Sequence, residues 1–189
     1  FAGLFRAAAD RTGGALGFLA GFAGCGPRRF ADFETVGEAL DYAAQGQRGF
    51  NFHDARASLV RVYPFKELQT DAMAAARRLI GFGVKPGDRI ALIADTEPQF
   101  CALFFGAIYA GAWPVPLPLP TSFGGKDSYI DQIGVQLDSC DPAILLYPDE
   151  IEELAAAAGQ SRKIPGFGWD KFAERDVPDC GMPQAKSSD

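Results

Sequence analysis

Hydrophobic residues in the middle of the chain form short buried runs that flank one strongly apolar helical stretch. Residues 89–94 have the continuous apolar pattern of a strand buried on both faces. Residues 100–110 are apolar around the whole helical circumference, which predicts a core helix covered on nearly every side. Residues 113–117 read as a second strand, in which Pro114 and Pro116 favour a strand end or an edge. Together these elements predict a parallel β-α-β crossover.

The ends of the central helix carry recognisable signals. Thr96 stands three residues before Gln99, which is the spacing of a capping box, and Pro98 suits the first helical turn. Gly111 supplies the stop. Since the helix is expected in the core, replacing Phe104 with Ala should lower the free energy of unfolding by about 3–5 kcal/mol.

The region before this unit predicts a helix, a hairpin and a longer helix. Thr35 and Glu38 have capping-box spacing, so a helix should run to about Gln45. Residues 50–63 alternate around a turn and predict a β-hairpin. One helical stripe then collects Phe65, Leu68, Ala72, Ala75, Ala76, Leu79 and Ile80.

The region after the unit repeats the alternation. A mobile loop is expected before a helix that Ser128 and Asp131 cap, followed by a buried strand at residues 143–147 and a helix at 151–158. The whole pattern predicts an α/β fold of three layers, with a mainly parallel sheet, helices on both faces and the small hairpin at one edge.

Composition limits the function classes. At 189 residues and 48% hydrophobic, the chain suits one substantial core. The formal net charge of −6 and the absence of a Lys/Arg cluster argue against nucleic acid as a partner. The glycine-rich apolar run at residues 13–26 is about a dozen residues long, which is too short for a transmembrane segment.

The candidate catalytic and metal-binding residue types are sparse. The four cysteines, at 25, 101, 140 and 180, lack paired spacing, so they indicate reduced thiols rather than a zinc site or a disulfide framework. His53 is the single histidine and lies in or beside the hairpin. A solvated or hydrogen-bonded role fits it better than catalysis, because a triad would need a base that the chain does not offer.

Two glycine clusters imitate nucleotide-binding loops. Gly81, Gly83 and Gly87 precede a strand, so they indicate a helix stop and a turn rather than a pyrophosphate site. The Gly-Gly-Lys run at 124–126 lacks the earlier glycine of a Walker loop, and Asp127 stands where Ser or Thr is required.

The sequence also resembles a known family. GDRIALI, a buried helix and YAGAWPVPLPLP, with PFKEL upstream, resemble the N-terminal part of the adenylate-forming (AMP-binding) enzymes. These comprise acyl-CoA synthetases, fatty acyl-AMP ligases and peptide-synthetase adenylation domains. FGGKDSYIDQIGVQLDSCDPAILLYPDE is most similar to the fatty acyl-AMP ligase branch. The resemblance covers roughly residues 33–158. In PFKEL, Pro64 and Phe65 replace the usual Thr and Tyr, which changes local stability rather than chemistry.

The resemblance implies ATP-dependent activation of a fatty acid. An acyl-adenylate and pyrophosphate would form with the help of Mg²⁺, and coenzyme A or an acyl carrier protein would then take the acyl group. In that family a Ser/Thr/Gly-rich loop holds the phosphates, later motifs hold the adenosine, and a lysine on a C-terminal domain assists. None of these is recognisable here, so no residue is assigned a catalytic, cofactor-binding or metal-binding role, and the isolated chain is expected to be inactive.

The resemblance also divides the chain. Residues 1–32 are expected to form an N-terminal extension, residues 33–175 the α/β subdomain, and residues 176–189 a tail leading towards the phosphate loop. A chain that opens on Phe and closes on a polar tail predicts a truncated or processed piece. The cytoplasm is the expected location, although residues 1–25 loosely imitate a lipoprotein signal ending at Cys25.

A function of another class stays open at this point. A non-catalytic doubly wound module, such as a flavodoxin-like binding or interaction domain, would give the same alternation of strands and helices. Such a domain usually places carboxylates or a phosphate-binding turn at the ends of successive strands. Here Asp95 is the main strand-end acid, and proline-rich loops follow the other strands, which favours the ligase.

Overall fold

The computed structural model describes residues 32–120 and 125–183. Its helices are α1 (Val36–Ala43), α2 (Phe65–Phe82), α3 (Pro98–Tyr109), α4 (Lys126–Cys140), α5 (Glu152–Gln160) and α6 (Trp169–Ala173), with a 3-10 turn at Asp149–Ile151. Its strands are β1 (Gly49–His53), β2 (Leu59–Pro64), β3 (Arg89–Ile93), β4 (Trp113–Leu117), β5 (Ile144–Tyr147) and β6 (Gly166–Gly168). The expectations for residues 1–31 and for Gly124 lie outside the described residues.

Four parallel strands form the central sheet in the order β4-β3-β5-β6. The three strands expected from the sequence are β3, β4 and β5, and they are neighbours as predicted. The β3-α3-β4 crossover is therefore confirmed.

The two prolines of β4 lie at positions where an N–H would have no partner in the sheet, so its absence removes no hydrogen bond. Trp113 donates its N–H to the Asp88 carbonyl (2.8 Å), and the Leu117 carbonyl accepts from Ala94 (2.8 Å). Because successive residues of a strand face opposite neighbours, Pro114 and Pro116 face away from β3. The predicted edge position is confirmed, since β4 pairs only with β3 in the four-stranded sheet.

Alternate residues of β3 and β5 enter two separate cores, one on each face of the sheet. One core joins α2, α3 and α6 to Ile90, Leu92, Ile144 and Leu146. The other joins α4 and α5 to Ala91, Ile93, Leu145 and Tyr147. The three-layer architecture with helices on both faces follows directly from this alternation.

The amphipathic stripe of α2 is confirmed, while α3 is less completely covered than expected. Helix α2 buries Leu68, Ala72, Ala75, Ala76 and Leu79. In α3 the fully buried residues are Ala102, Leu103, Gly106 and Ala107. No residue from 100 to 110 is exposed, but Phe104 is only partly buried. Helix α3 is therefore a core helix on one face and a partly covered helix on the other.

The hairpin is confirmed, but it does not form an edge of the central sheet. β1 and β2 pair in a two-stranded sheet of their own, with Phe50 opposite Tyr63. The hairpin lies outside α2 and α3, where Phe52 and Tyr63 join a third core cluster with Leu40 and Leu68. Aromatic residues on its inner face thus fix it to the helices rather than to a strand.

The capping predictions had mixed outcomes. Thr35 is the N-cap of α1 and its Oγ1 accepts from the Glu38 N–H (3.2 Å), as predicted, although the helix ends at Ala43. The prediction for Thr96 was wrong, because α3 begins at Pro98 with Glu97 at the N-cap. The fixed φ of Pro98 favours a helix that begins at this residue, and this preference outweighs the capping-box spacing of Thr96.

The start of α4 also differs from the prediction. The helix begins at Lys126 with Gly125 at the N-cap, so Ser128 is its third residue and not its cap. The turn glycines behave as expected: Gly83 ends α2 in the left-handed region at φ 107°, and Gly87 turns the chain at φ 86°. That region favours glycine, since a side chain there is strained.

The sequence did not predict β6 and α6. The strand is Gly-Phe-Gly and is defined by its pairing with β5, not by any alternation of its own. The helix has five residues but buries Trp169 and Phe172 in the first core. Both elements owe their formation to tertiary contacts rather than to local pattern.

Candidate functional site

Carboxylates collect at the carboxyl edge of the sheet, the edge where parallel α/β sheets usually bind ligands. Asp95 follows β3, Asp149 and Glu150 follow β5, and Asp170 follows β6. Burial raises the pKa of Glu97, and the charges of Asp95, Glu150 and Asp170 raise it further. The edge therefore has a negative potential.

Several charged groups at this edge are engaged in contacts within the fold. Asp149 Oδ2 accepts from the Asp170 N–H at the start of α6 (2.9 Å). Its carboxylate lies against Gly168, where an added Cβ would collide with it. Lys171 Nζ lies 2.6 Å from Glu152 Oε1, so this cation is already paired. The edge offers acceptors rather than donors to an incoming ligand.

This chemistry does not fit the phosphates of ATP. A polyphosphate needs backbone N–H groups or cations aimed at it, and an edge of carboxylates repels it. Within residues 32–120 and 125–183 no group of three or more His, Cys, Asp or Glu side chains could hold a metal ion. That this chain binds neither ATP nor Mg²⁺ stays a prediction.

His53 and the cysteines do not meet in one place. His53 ends β1 and is exposed, and its Nδ1 lies 3.2 Å from the carbonyl oxygen of Ala57 in its own turn. Cys101, Cys140 and Cys180 are unpaired and partly buried, and burial raises the pKa of the Cys101 thiol. Cys25 lies outside the described residues.

A cavity of about 320 Å³ lies between the hairpin, α2, α3 and α6. Its charged lining comes from Arg61, Asp71 and Arg78, and its apolar lining includes Leu103 and Trp169. The sequence did not predict this cavity, because its lining residues come from four elements that are more than a hundred positions apart at the extremes. Their proximity exists only in the folded chain.

The described end of the chain folds back onto α2. Pro178 lies so close to Gly81 that an added Cβ would be 2.6 Å from its ring. Arg175 stacks over Phe82 and Phe167, with its guanidinium carbon 5.6 and 5.2 Å from the ring centroids.

Nowhere in the described ranges is a helix long and apolar enough to cross a membrane.

Comparison with known proteins identifies relatives for most of this structure. A Caulobacter vibrioides protein named as an acyl-CoA synthetase is 43% identical over 135 residues, covering 69% of this chain and 24% of the relative. The long-chain-fatty-acid–AMP ligase FadD32 of Mycolicibacterium smegmatis is 30% identical over 106 residues, covering 56% of this chain and 16% of the relative. The chain therefore spans at most about a quarter of these relatives.

A solved structure from work on fatty acyl-adenylate ligases of E. coli and L. pneumophila has the same fold. It superposes with a TM-score of 0.81 at 36% identity, covering 85% of this chain and 29% of that chain. The family described as AMP-binding enzyme matches residues 49–175, from the hairpin through α6. The chain belongs to the AMP-binding, adenylate-forming enzymes.

Proposed function

We propose that these residues are the N-terminal subdomain of a ligase that activates fatty acids in fatty acid metabolism. In the intact protein the acid's carboxylate would attack the α-phosphate of ATP, giving acyl-adenylate and pyrophosphate. The acyl group would then pass to a thiol, either coenzyme A or the phosphopantetheine of an acyl carrier protein. Because this reaction uses ATP, we expect it in the cytoplasm.

The observation that carries this proposal is the match to fatty acyl-adenylate ligases in both sequence and fold. The solved relative at 36% identity has a fatty acyl-adenylate ligase as its subject, and a curated relative at 30% identity is a long-chain-fatty-acid–AMP ligase. Identity at this level over most of the chain supports common ancestry of the subdomain. It supports the acid substrate class through those relatives.

The charges of this chain support a proposal in which the phosphate-binding groups lie in another part of the intact protein. The sheet edge is acidic, and its lysine is paired. Stabilising the charge that develops on a phosphate requires donors fixed in place before the reaction. We therefore infer that residues 33–175 supply a scaffold, that residues 176–189 lead towards the phosphate-binding part, and that the 189 residues alone do not activate an acid.

The competing function is a non-catalytic doubly wound binding module. Family membership favours the ligase, but relatives of an enzyme can lose activity while keeping its fold. The two functions differ in what the intact protein does with ATP and an acid.

The test is product analysis on the intact protein. Incubation with MgATP and a series of medium-chain and long-chain fatty acids should release pyrophosphate and form an acyl-adenylate detectable by mass. Adding coenzyme A or a loaded carrier protein should then identify the acceptor by which of them becomes acylated. An intact protein that forms no adenylate with any acid would favour the binding module.

A further inference from the structure

The cavity between the hairpin, α2, α3 and α6 has chemistry that neither the fold nor the proposed reaction explains. We call it the hairpin cavity and define it by Arg61, Asp71, Arg78, Gln99, Leu103 and Trp169, which all line it. Its volume of about 320 Å³ is at the lower end of the range for small-molecule pockets. The lining combines two guanidinium groups with an apolar floor.

Arg78 is a half-buried cation without a carboxylate partner among the described residues. Its Nε donates to the carbonyl of Arg175 (2.8 Å), which leaves the two terminal nitrogens of the guanidinium without a protein acceptor in that part of the chain. Arg78 is partly buried, and burial lowers its pKa while the charge of Asp71 raises it. Removing a cation from water is unfavourable unless an anion or several acceptors replace the water.

The neighbouring charges supply that anion only in part, since the Asp71 carboxylate raises the pKa of Arg78 without forming an ion pair with it. Asp71 Oδ2 accepts from the hydroxyl of Tyr63 (2.7 Å), and Asp71 is too far from Arg78 for an ion pair. Arg61 lies 2.6 Å from Glu67, and its guanidinium also lies over the Tyr63 ring. The lining thus carries two cations and one acid, on a chain whose formal net charge is −6.

The floor of the hairpin cavity is apolar. Ala75, Ala102, Leu103 and Phe172 are all at least nine-tenths buried and line it. Trp169 forms part of the wall, and its Nε1–H has no acceptor in the described part of the chain. Buried donors are normally paired, so the indole gains a hydrogen bond if it turns toward an acceptor that enters the cavity.

We propose that the hairpin cavity binds a small carboxylate with a short apolar tail. The carboxylate would pair with Arg78, and the tail would cover Leu103 and the face of the Trp169 indole. A charge-assisted hydrogen bond in a partly desolvated site is stronger than a neutral one, so the anionic head is the group that the site selects. This site is separate from the carboxyl edge of the sheet and does not depend on the proposed ligase reaction.

Tryptophan fluorescence of the 189-residue chain can test this directly. The chain has two tryptophans, and Trp113 is exposed on β4, so Trp113→Phe leaves Trp169 as the reporter. Titration of this variant with hexanoate should change the Trp169 emission saturably. Hexanol and hexylamine, which match the tail but lack the anion, should bind at least about tenfold more weakly.

A pair of neighbouring arginines gives the matched control. Arg78→Gln in the Trp113→Phe background should weaken hexanoate binding by about tenfold to a hundredfold. Arg77→Gln makes the same charge change one residue away, on an exposed side chain that does not line the cavity, and should leave binding within about twofold. Circular dichroism and thermal unfolding of both variants establish that each is folded.

Three outcomes would overturn the proposal. One is a Trp169 emission that hexanoate does not change, and another is equal binding of hexanoate and hexanol. The third is equal loss of affinity in Arg77→Gln and Arg78→Gln, which would show general attraction of an anion to the surface. If Arg78→Gln does not fold, the comparison of the three ligands still decides the case. None of these outcomes bears on whether the intact protein forms acyl-adenylates.

Discussion

Gly106 of α3 lies against Ala75 of α2 so closely that a Cβ added to the glycine would be 2.7 Å from the alanine Cβ. The same added atom would lie 3.0 Å from the Ala72 carbonyl oxygen, which is backbone and cannot turn away. Helices α2 and α3 therefore approach each other at a point that only glycine allows. This contact sets the spacing of the layer that covers one face of the sheet.

Gly106→Ala should destabilise the fold despite the better helix propensity of alanine. Overpacking costs about 1–3 kcal/mol, and replacing a mid-helix glycine returns about 1 kcal/mol, so we expect the free energy of unfolding to fall by up to about 2 kcal/mol. Urea unfolding followed by circular dichroism measures this loss. Gly125→Ala is the control, because an added Cβ there meets nothing within 4 Å and φ is −65°. An unchanged or raised free energy of unfolding in Gly106→Ala would show that the helices separate freely.

Two neighbouring residues of α3 should differ in their cost of truncation. Leu103 is 6% exposed, so Leu103→Ala should cost about 2–5 kcal/mol. Phe104 is only partly covered, with ring contacts to Phe100 and Phe105, so Phe104→Ala should cost less than the 3–5 kcal/mol expected of a fully buried position. Chemical denaturation of both variants gives the order. A larger loss for Phe104→Ala would mean that its ring is more deeply covered than this structure describes.

Much of the fold was predictable because the pattern along the chain and the packing agree. In β3 and β5 continuous apolar runs correspond to burial on both faces, and in α2 the stripe from Leu68 to Leu79 is the buried face. Prediction failed where one local signal outweighed another, and where an element depends on residues distant in sequence. Helix α3 begins at Pro98 although Thr96 has the spacing of a capping residue. Strand β6 forms because β5 supplies its hydrogen-bonding partner. The hairpin packs on the helices because Phe52 and Tyr63 contact the cluster that contains Leu68. No local sequence pattern predicts this contact.

The candidate sites were less predictable than the fold. The negative edge depends on acids that follow β3, β5 and β6, and only Asp95 stood out in the sequence. The hairpin cavity brings Arg61, Arg78 and Trp169 together over separations that periodicity does not report. The assignment of no catalytic residue to this chain stays a prediction.

High pH should weaken the fold through its buried tyrosines. Burial raises the pKa of Tyr129 to about 12, and burial together with hydrogen bonds to Asp71 and Asp41 raises the pKa of Tyr63 and Tyr109. The folded state therefore favours the neutral phenols. Their contribution to the free energy of unfolding is complete below about pH 10, the value for an unfolded tyrosine, and is lost as the pH rises towards 12 and beyond.

The measurement is the free energy of unfolding between pH 8 and pH 12. Tyr129 donates its hydroxyl to the Pro118 carbonyl (3.0 Å), so Tyr129→Phe should cost about 1 kcal/mol at pH 8 and lose less than the parent chain above pH 10. The Tyr129→Phe and parent curves should therefore converge as the pH rises. Parallel curves would show that Tyr129 titrates normally in the folded chain.

All four cysteines should be free thiols. Cys101, Cys140 and Cys180 are unpaired, and the sequence spacing predicts the same for Cys25. Thiol titration of the denatured, unreduced chain should therefore count four. In the folded chain Cys101 and Cys140 should react slowly near neutral pH, since burial raises the pKa of both thiols. Two missing thiols in the denatured chain would instead favour an exported protein.

The central claim is that this chain is the scaffold part of an acid-activating ligase whose phosphate chemistry lies elsewhere in the intact protein. Calorimetry with MgATP and a pyrophosphate-release assay with a series of fatty acids test it when they are run on the 189 residues and on the intact protein side by side. We predict no measurable ATP binding and no pyrophosphate release by the 189 residues, and both activities in the intact protein. Pyrophosphate release by the 189 residues alone would contradict the claim, because it would place a working phosphate site among residues that present carboxylates.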